Sequence, residues 1–600
     1  MNMKKLLYIA TVISLIQIPF ISCQDFLEKP PSQDITVDSV FSSAINVKKL
    51  LYTLYGSIPY KFPLEKKLTL HPATPWVVLA STTDEAENGQ STAATNLYNT
   101  GGLNAANVSG NTDYDYGTFY KAIRYCWNLI ENIDRVPDLS EDDKKLYKAE
   151  ARMIIATNYY ELMIRLGGVP YIDHVLTATE SWDYKRMPLN ELVEKIDNLI
   201  KESMKDLPDK RENEIEEQGR LTKSFGYFLR ARLYMSIARP LFNAEAPYLS
   251  MPNPSDNNLI WMGNYDKERY KKAADICKEA ISYLEGQGFR LFLKTDTKSG
   301  TAKEAYLAAS SLATHVNPEM VYYRQVTKKV TNFRDWSMKY IGPRVLGMGE
   351  IQPTESFKMK FQMNNGGPQT IENGYDPNSP YDNLDSRFYA CFIYHGTEFG
   401  KWVFTQVFGE NAAQAKMYDP EHRNNWNAGC ATSERCATGY HSRKFLLEDC
   451  YRSNQAVDPI TPYMRMAELY LMYAEALNEY NNGPDTECYT YLNKVRTRSD
   501  MPAAKDLDYQ EMKKMIEYEW MVEFAFEGNR FFNLRQWKQG DILSEPIYGS
   551  RATRDASNPQ IVRYNSFLLE ERKFNDCFYL YPFPQDDVNM GYGLVQNPGW

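Results

Sequence analysis

Asp84 and Glu85 stand side by side in the stretch STTDEAENG, and paired carboxylates are the raw material of acid–base and glycosidic chemistry. A glycosidase, however, needs two carboxylates about 5 to 9.5 Å apart across a cleft, and adjacency in sequence does not supply that. The pair therefore reads as loop charge or as hydrogen-bonding partners for a ligand. The GxSxG, HExxH, P-loop and GxGxxG patterns are absent, so no nucleophile, metalloprotease or nucleotide chemistry is indicated. Asn111, Asp113 and Asp115 in NTDYDYG imitate the start of a calcium loop. Gly117 falls one place late for it, and Ala122 occupies the position of the bidentate glutamate, so calcium is not expected there. No CxxC occurs. Cys391 with His395 and Cys436 with His441 are isolated near-neighbours rather than a zinc ligand set, and neither metal nor cofactor is expected. Cys430 and Cys436 could close a small ring in NAGCATSERCATG, while Cys126, Cys277 and Cys488 on apolar helical faces read as buried thiols.

Recognition is better represented than catalysis. The chain carries 44 tyrosines, 27 phenylalanines and 10 tryptophans, a load that serves either helix packing or platforms for a flat ligand. Trp336 lies in NFRDWSMKY with Arg334, Asp335 and Tyr340. This cluster of flat faces and planar donors suits sugar rings, whose axial C–H groups stack on aromatics while hydroxyls take bidentate partners. A second loop-rich tract runs from Pro59 to Gly117 and holds Trp76 and ASTTDEAENGQSTAATNLYNTGG. Trp402 and Trp426 read as covers of the core beneath irregular backbone.

The elements that must position these residues are helices. Apolar residues recur at i, i+3, i+4, i+7 over Phe119–Val136, Lys148–Leu166, Leu189–Leu207, Thr222–Ile237, Lys267–Leu284, Tyr463–Tyr480, Cys488–Arg498 and Tyr509–Phe526, and clear alternating strands are few. Three of these helices are alike: KAEARMIIATNYYEL, TKSFGYFLRARLYMS and YMRMAELYLMYAEAL each set a small residue three or four ahead of a tyrosine. That is the small-against-aromatic packing of a tetratricopeptide hairpin, whose period is about 34 residues. Gly167-Gly168 before Pro170, and Gly483-Pro484, are helix stops. From about Gln287 to Asp458 the helical pattern fails, and tracts that long are usually functional.

A length of 600 residues allows a large core, and 68 basic against 77 acidic residues, with no basic run, argue against nucleic acid as a partner. Mean hydropathy of −0.53 excludes a polytopic membrane protein. At the N-terminus Lys4 and Lys5 precede an apolar run, Leu6 to Ile21, that is short for a bilayer span and ends at Ser22-Cys23. This reads as a signal over residues 1–22 with lipidation at Cys23, followed by a short Pro-stopped tether. A helical region over 23–286 and a region over 287–600, with its loop-rich insert at 287–458, complete the expected organisation.

The chain as a whole resembles the SusD/RagB nutrient-binding outer-membrane lipoproteins. The residues that carry the resemblance are DFLEKPP after Cys23, STTDEAENG, YYELMIRLGGVPYID, IQPTESF, DSRFYACFIYHG, RMAELYLMYAEALN, LNKVRTRSDMP, EFAFEGNRFFNLRQW and the terminal YPFPQDDVNMGYGLVQNPGW. The resemblance implies a mainly α fold with four tetratricopeptide-like helix pairs and a loop-rich ligand region. It also implies a non-catalytic, surface-exposed role as a glycan-binding lid on a SusC-like TonB-dependent transporter, although some members of the family take peptides. The implied site draws on the Trp336 region and the early loop, giving Asp84, Glu85, Asn88, Asn96 and Tyr98 as ligand contacts beside Trp76. Arg530 and Glu523, seven apart in EFAFEGNRFFNLRQW, read instead as a structural ion-pair belt. Three readings stay open: glycan capture, peptide capture on the same architecture, and a tetratricopeptide scaffold for surface enzymes with no small ligand.

Overall fold

The computed structural model describes residues 37–58, 78–89, 93–177, 179–180, 183–211, 216–311, 315–325, 349–397, 437–446, 460–555, 557–558 and 561–600. Cys23, Trp76, Arg334, Asp335, Trp336, Tyr340, Trp402, Trp426 and the Cys430/Cys436 pair lie outside them.

The longer helices are α1 (Ala44–Tyr55), α2 (Tyr116–Asn132), α3 (Glu141–Leu166), α4 (Leu189–Asp206), α5 (Lys223–Ala238), α6 (Glu268–Gly286), α7 (Ala302–Ser310), α8 (Met466–Asn481), α9 (Thr486–Arg498), α10 (Tyr509–Glu523) and α11 (Asn529–Gln536). Each pattern read from the sequence is a helix, with shifts at the ends that local chemistry explains. Ser140 accepts a hydrogen bond from the Asp143 N–H and so starts α3 on the polar turn EDDK, ahead of the apolar stripe. Asp115 caps α2 in the same way through the Thr118 N–H. Gly167 ends α3 at φ +78, and a Cβ on Gly168 would stand 2.1 Å from the Met187 carbonyl oxygen, so the paired glycines both turn the chain and let it pass close to its neighbour. Tyr463 to Arg465 are not helical. They close strand β6 (Ile460–Arg465), which pairs antiparallel with β2 (Met320–Gln325).

The helices stack in order: α2 on α3, α3 on α4, α4 on α5, α5 on α6, α6 on α8, and α8 on both α9 and α10. The three sequence-alike helices α3, α5 and α8 also touch one another in turn, so they line one face of a tetratricopeptide-like solenoid. Their small and aromatic residues do the packing, with Ala156, Tyr159, Ala231, Ala467 and Tyr470 all buried. Cys126, Cys277, Cys391 and Cys488 are buried free thiols.

Because α6 and α8 are spatial neighbours, the whole tract between them is an insertion at one joint of the solenoid. Its described part is no loose loop. Helix α7, the short helices Glu355–Lys358 and Ser386–Cys391, and short strands β3 (Gln352–Pro353), β4 (Phe392–Ile393) and β5 (His441–Ser442) enclose a second apolar core built on Phe357, Phe361, Phe388 and Phe392. Phe526 and Val522 from the end of α10 complete it, with the Phe357 and Phe526 rings 5.5 Å apart. A long hairpin, β7 (Ile547–Arg554) with β8 (Val562–Glu570), follows α11.

Between the two cores runs a belt of buried charge. Arg387 pairs with Asp385 and Glu519, each at 2.7 Å, and Arg465 with Glu527 at 2.8 Å and Glu319 at 3.2 Å. Arg496 reaches Glu519 at 2.7 Å, and Glu523 takes Arg387, Arg465 and Arg498 together. Burial raises the Glu523 carboxyl, but Arg498, Arg465 and Arg387 outweigh burial and hold it at about 2. Glu523 thus belongs to an ion-pair belt, as its sequence suggests, but not with Arg530. The helix breaks after α10, where Phe526 at φ +63 and Gly528 at φ +79 are left-handed, and α11 turns Arg530 toward Asp84.

Candidate ligand-binding surface

The early loop supplies a platform rather than a free face. Strand β1 (Ala86–Glu87) pairs with β3, the Gly89 N–H donates to Gly349 O at 2.9 Å, and Thr354 Oγ1 donates to Asp84 O at 2.6 Å. Asp84 is 1% exposed, and its carboxylate is bound by Arg530 and by Lys360 Nζ at 2.6 Å. Burial pushes that carboxyl up, yet Arg530 and then Lys360 outweigh it and hold it well below the usual carboxylate range. Glu85, next in sequence, is fully buried without such a partner: it accepts the Phe526 N–H at 2.8 Å and the Thr83 hydroxyl at 3.0 Å. Burial raises it to about 7, against the Phe526 N–H and Arg530. The Asn88 N–H donates to Glu87 Oε1 at 2.9 Å, and the Tyr98 hydroxyl donates to that of Tyr581 at 2.9 Å beneath the Phe531 ring.

Asp84, Glu85, Asn88 and Tyr98, expected to face a ligand, are therefore interior groups, of which Asp84 ties the early loop to α11, Glu85 to the turn before it and Tyr98 to the C-terminal segment. Asn96 is half-buried. The calcium-like NTDYDYG residues are also structural, since Asp113 pairs with Arg165 at 2.6 Å and Asp115 caps α2. Among the described residues no group of three or more His, Cys, Asp or Glu side chains is arranged to hold a metal ion.

A concave face lies elsewhere, on the outer side of α2. A cleft of about 640 Å³ opens between α2, the segment that leaves α3 after Pro170, and the C-terminal turn around Asp587. That is the size of a small-ligand site. Four tyrosines wall it, namely Tyr116, Tyr120, Tyr125 and Tyr184. Tyr116 and Tyr120 meet edge to face at 5.0 Å, and the Tyr120 hydroxyl donates to Pro170 O at 2.8 Å, which fixes the floor. Tyr184 rests edge-on against Tyr592 at 5.5 Å, while Tyr125 keeps 37% of its surface exposed. Lys121, Arg124 and His174 line the cleft with them, and Asp587 is its lining carboxylate. Burial, with Asp586 and Asp115 nearby, raises Asp587 above the ordinary carboxylate value. Pattern reading assigns Tyr120 and Tyr125 to helix packing and leaves Tyr116 in the loop tract that ends at Gly117. The cleft forms only because Pro170 to Tyr184 and Asp587 to Leu594 are carried to the same side of α2, and no local spacing announces that.

Comparison with known proteins agrees with this architecture. A family model described as "Starch-binding associating with outer membrane" matches residues 25–235, and the SusD family model matches residues 319–600. The fold is that of helical, tetratricopeptide-containing proteins. The chain belongs to the SusD/RagB family. The SusD-like protein P2 of Formosa agariphila is 30% identical over 148 residues, which span 22% of this chain and 29% of that relative's length. A SusD-like protein of Bacteroides fragilis superposes with a TM-score of 0.72 at 22% identity, covering 95% of this chain and 100% of its own. The surface glycan-binding protein A of Bacteroides uniformis superposes at 0.59 and 16% identity, covering 92% and 99%. At these identities the superpositions show a shared fold. No described helix is long and apolar enough to cross a membrane.

Proposed function

We propose that this chain is a non-catalytic, lipid-anchored glycan-binding protein of the outer cell surface that hands captured oligosaccharide to a SusC-like TonB-dependent transporter. The observation that carries the reading is the open, tyrosine-walled cleft on α2 in a chain of this family. Tyrosine rings offer flat apolar faces to sugar C–H groups, and the polar rim offers partners to hydroxyls. Its described lining contains a single carboxylate, Asp587, where glycoside hydrolysis takes two. The Trp336, Tyr340, Arg334 and Asp335 cluster, with Trp76, is a further proposed contact surface. Anchoring would rest on acyl chains at Cys23, each buried methylene contributing roughly 0.8 kcal/mol, and two or more chains make it stable. Cys23→Ala should then release the protein into a soluble fraction, and a wild-type protein that takes up no labelled fatty acid would refute the anchor.

The reading is tested by screening the soluble chain from Gln24 against polysaccharides and peptides. Binding to a polysaccharide without accumulation of reducing ends is the expected result. Binding to peptides alone would establish the peptide-capturing alternative, and binding to neither would leave the scaffold role.

A further inference from the structure

Resting on the glycan reading above, we infer that the α2 cleft takes an acidic oligosaccharide, whose carboxylate or sulfate group is held by Lys121 and Arg124 while its sugar rings lie on the tyrosine wall. The chain is acidic overall, with a formal charge of −9, and many of its buried arginines are answered by carboxylates, Arg165 by Asp113, Arg232 by Glu468, Arg239 by Glu475 and Arg387 by Asp385, while Arg186 and Arg535 are held by backbone carbonyls. Lys121 and Arg124 differ from all of these. Both are exposed, both line the cleft, and neither makes a hydrogen bond or ion pair within the described residues. They lie three apart on one helical face, where like charges repel unless an anion sits between them. Helix α2 offers no internal relief, since its only carboxylate is Glu131, which accepts the Val175 N–H at 2.9 Å.

Several of the other charges nearby are already engaged. Asp173 and Glu180 hold the His174 ring at 2.9 and 3.0 Å, and Asp115 caps α2. Asp587 remains as an acceptor for sugar hydroxyls on the opposite wall. A neutral glycan would use the tyrosines and Asp587 but leave the two cations unanswered. An anionic sugar satisfies all three kinds of group, and charge-assisted contacts are about twice as strong as neutral ones.

The test is isothermal titration of the soluble chain from Gln24 with a panel of oligouronates, sulfated oligosaccharides and neutral oligosaccharides of matched length. An acidic ligand should bind at least about tenfold more tightly than its neutral counterpart. Arg124→Gln and Lys121→Gln should each weaken the acidic ligand about fivefold, and the double variant should abolish the preference for the acidic ligand over its neutral counterpart. Raising the salt from about 50 to 500 mM should weaken acidic binding alone, and the uronate and sulfate arms identify which anion is held. Equal affinity for acidic and neutral sugars, or acidic binding indifferent to both substitutions, overturns this inference and leaves glycan capture standing. Failure of every glycan, with peptides bound, overturns the function itself.

Discussion

The buried belt and the α2 cleft are built from the same residue types and use them in opposite ways. In the belt, Arg387, Arg465 and Arg498 are almost wholly inaccessible, and each shares its guanidinium among two or more carboxylates. Taking such charges out of water is costly, and mutual attraction offsets the cost only when every member is paired. The belt therefore fixes how the inserted tract sits on the solenoid and has nothing left to offer a ligand. In the cleft, Lys121 and Arg124 keep their hydration and have no hydrogen-bond or ion-pair partner among the described residues, and Tyr125 keeps 37% of its surface exposed. Chemical identity does not separate a structural arginine from a recognising one; the number of partners already present does.

If that contrast holds, the largest effect of any single change belongs to the belt. Glu523→Ala leaves three arginines with fewer partners in an interior site and should destabilise the fold by about 3 to 5 kcal/mol, read as a shift of the urea midpoint. An unchanged midpoint would mean that the belt is ornamental.

The adjacent acids of the early loop sharpen the comparison through pH. Asp84 is held below its ordinary 3.8, so its contribution is present at neutral pH and is lost as the pH falls below that value. Glu85 is raised from 4.5 to about 7, so its stability is full below pH 4.5 and is lost as the pH rises through 7. Glu85→Gln keeps an acceptor for the Phe526 N–H and removes the buried charge. It should stabilise the protein at pH 8 by up to about 3 kcal/mol and lose that advantage by pH 4, measured by denaturation at both pH values.

Trp336→Ala should cost on the order of 2 kcal/mol of glycan affinity with no change in melting temperature, as loss of a stacking face does at a binding hot spot. A core tryptophan would instead cost roughly 3 to 5 kcal/mol of stability, so a sharp fall in melting temperature with unchanged binding would assign Trp336 to packing. Smallest of all, Arg124→Gln should change stability by no more than about 0.5 kcal/mol, checked by thermal denaturation, because it removes no described contact.

The solenoid is legible because its signals are local: apolar residues at helical spacing, a small residue one turn before a tyrosine, and a glycine stop all lie within a few residues of one another. The second core is not. Phe357 against Phe526 and Phe392 against Tyr440 join residues far apart in sequence, and the aromatic-rich tract between α6 and α8 carries no period that foretells such pairings. The early-loop acids looked like ligand contacts because a carboxylate about to be buried under Arg530 reads the same as one left in water. Tyr120 and Tyr125 belong to the helical pattern and Tyr116 to the loop tract before it, and what makes them a wall is the arrival of distant segments. One signal was present: a helix with Lys121 and Arg124 three apart and no acid before Glu131.

The account turns on whether the tyrosine cleft is a recognition surface or a gap in the packing, and Tyr125→Ala decides it through melting temperature and glycan affinity measured on the same preparation. Tyr125 is 37% exposed and packs on no other ring among the described residues, so the account predicts an unchanged melting temperature and an affinity reduced about tenfold or more. A variant that melts early, or that binds every glycan as the parent does, would contradict it.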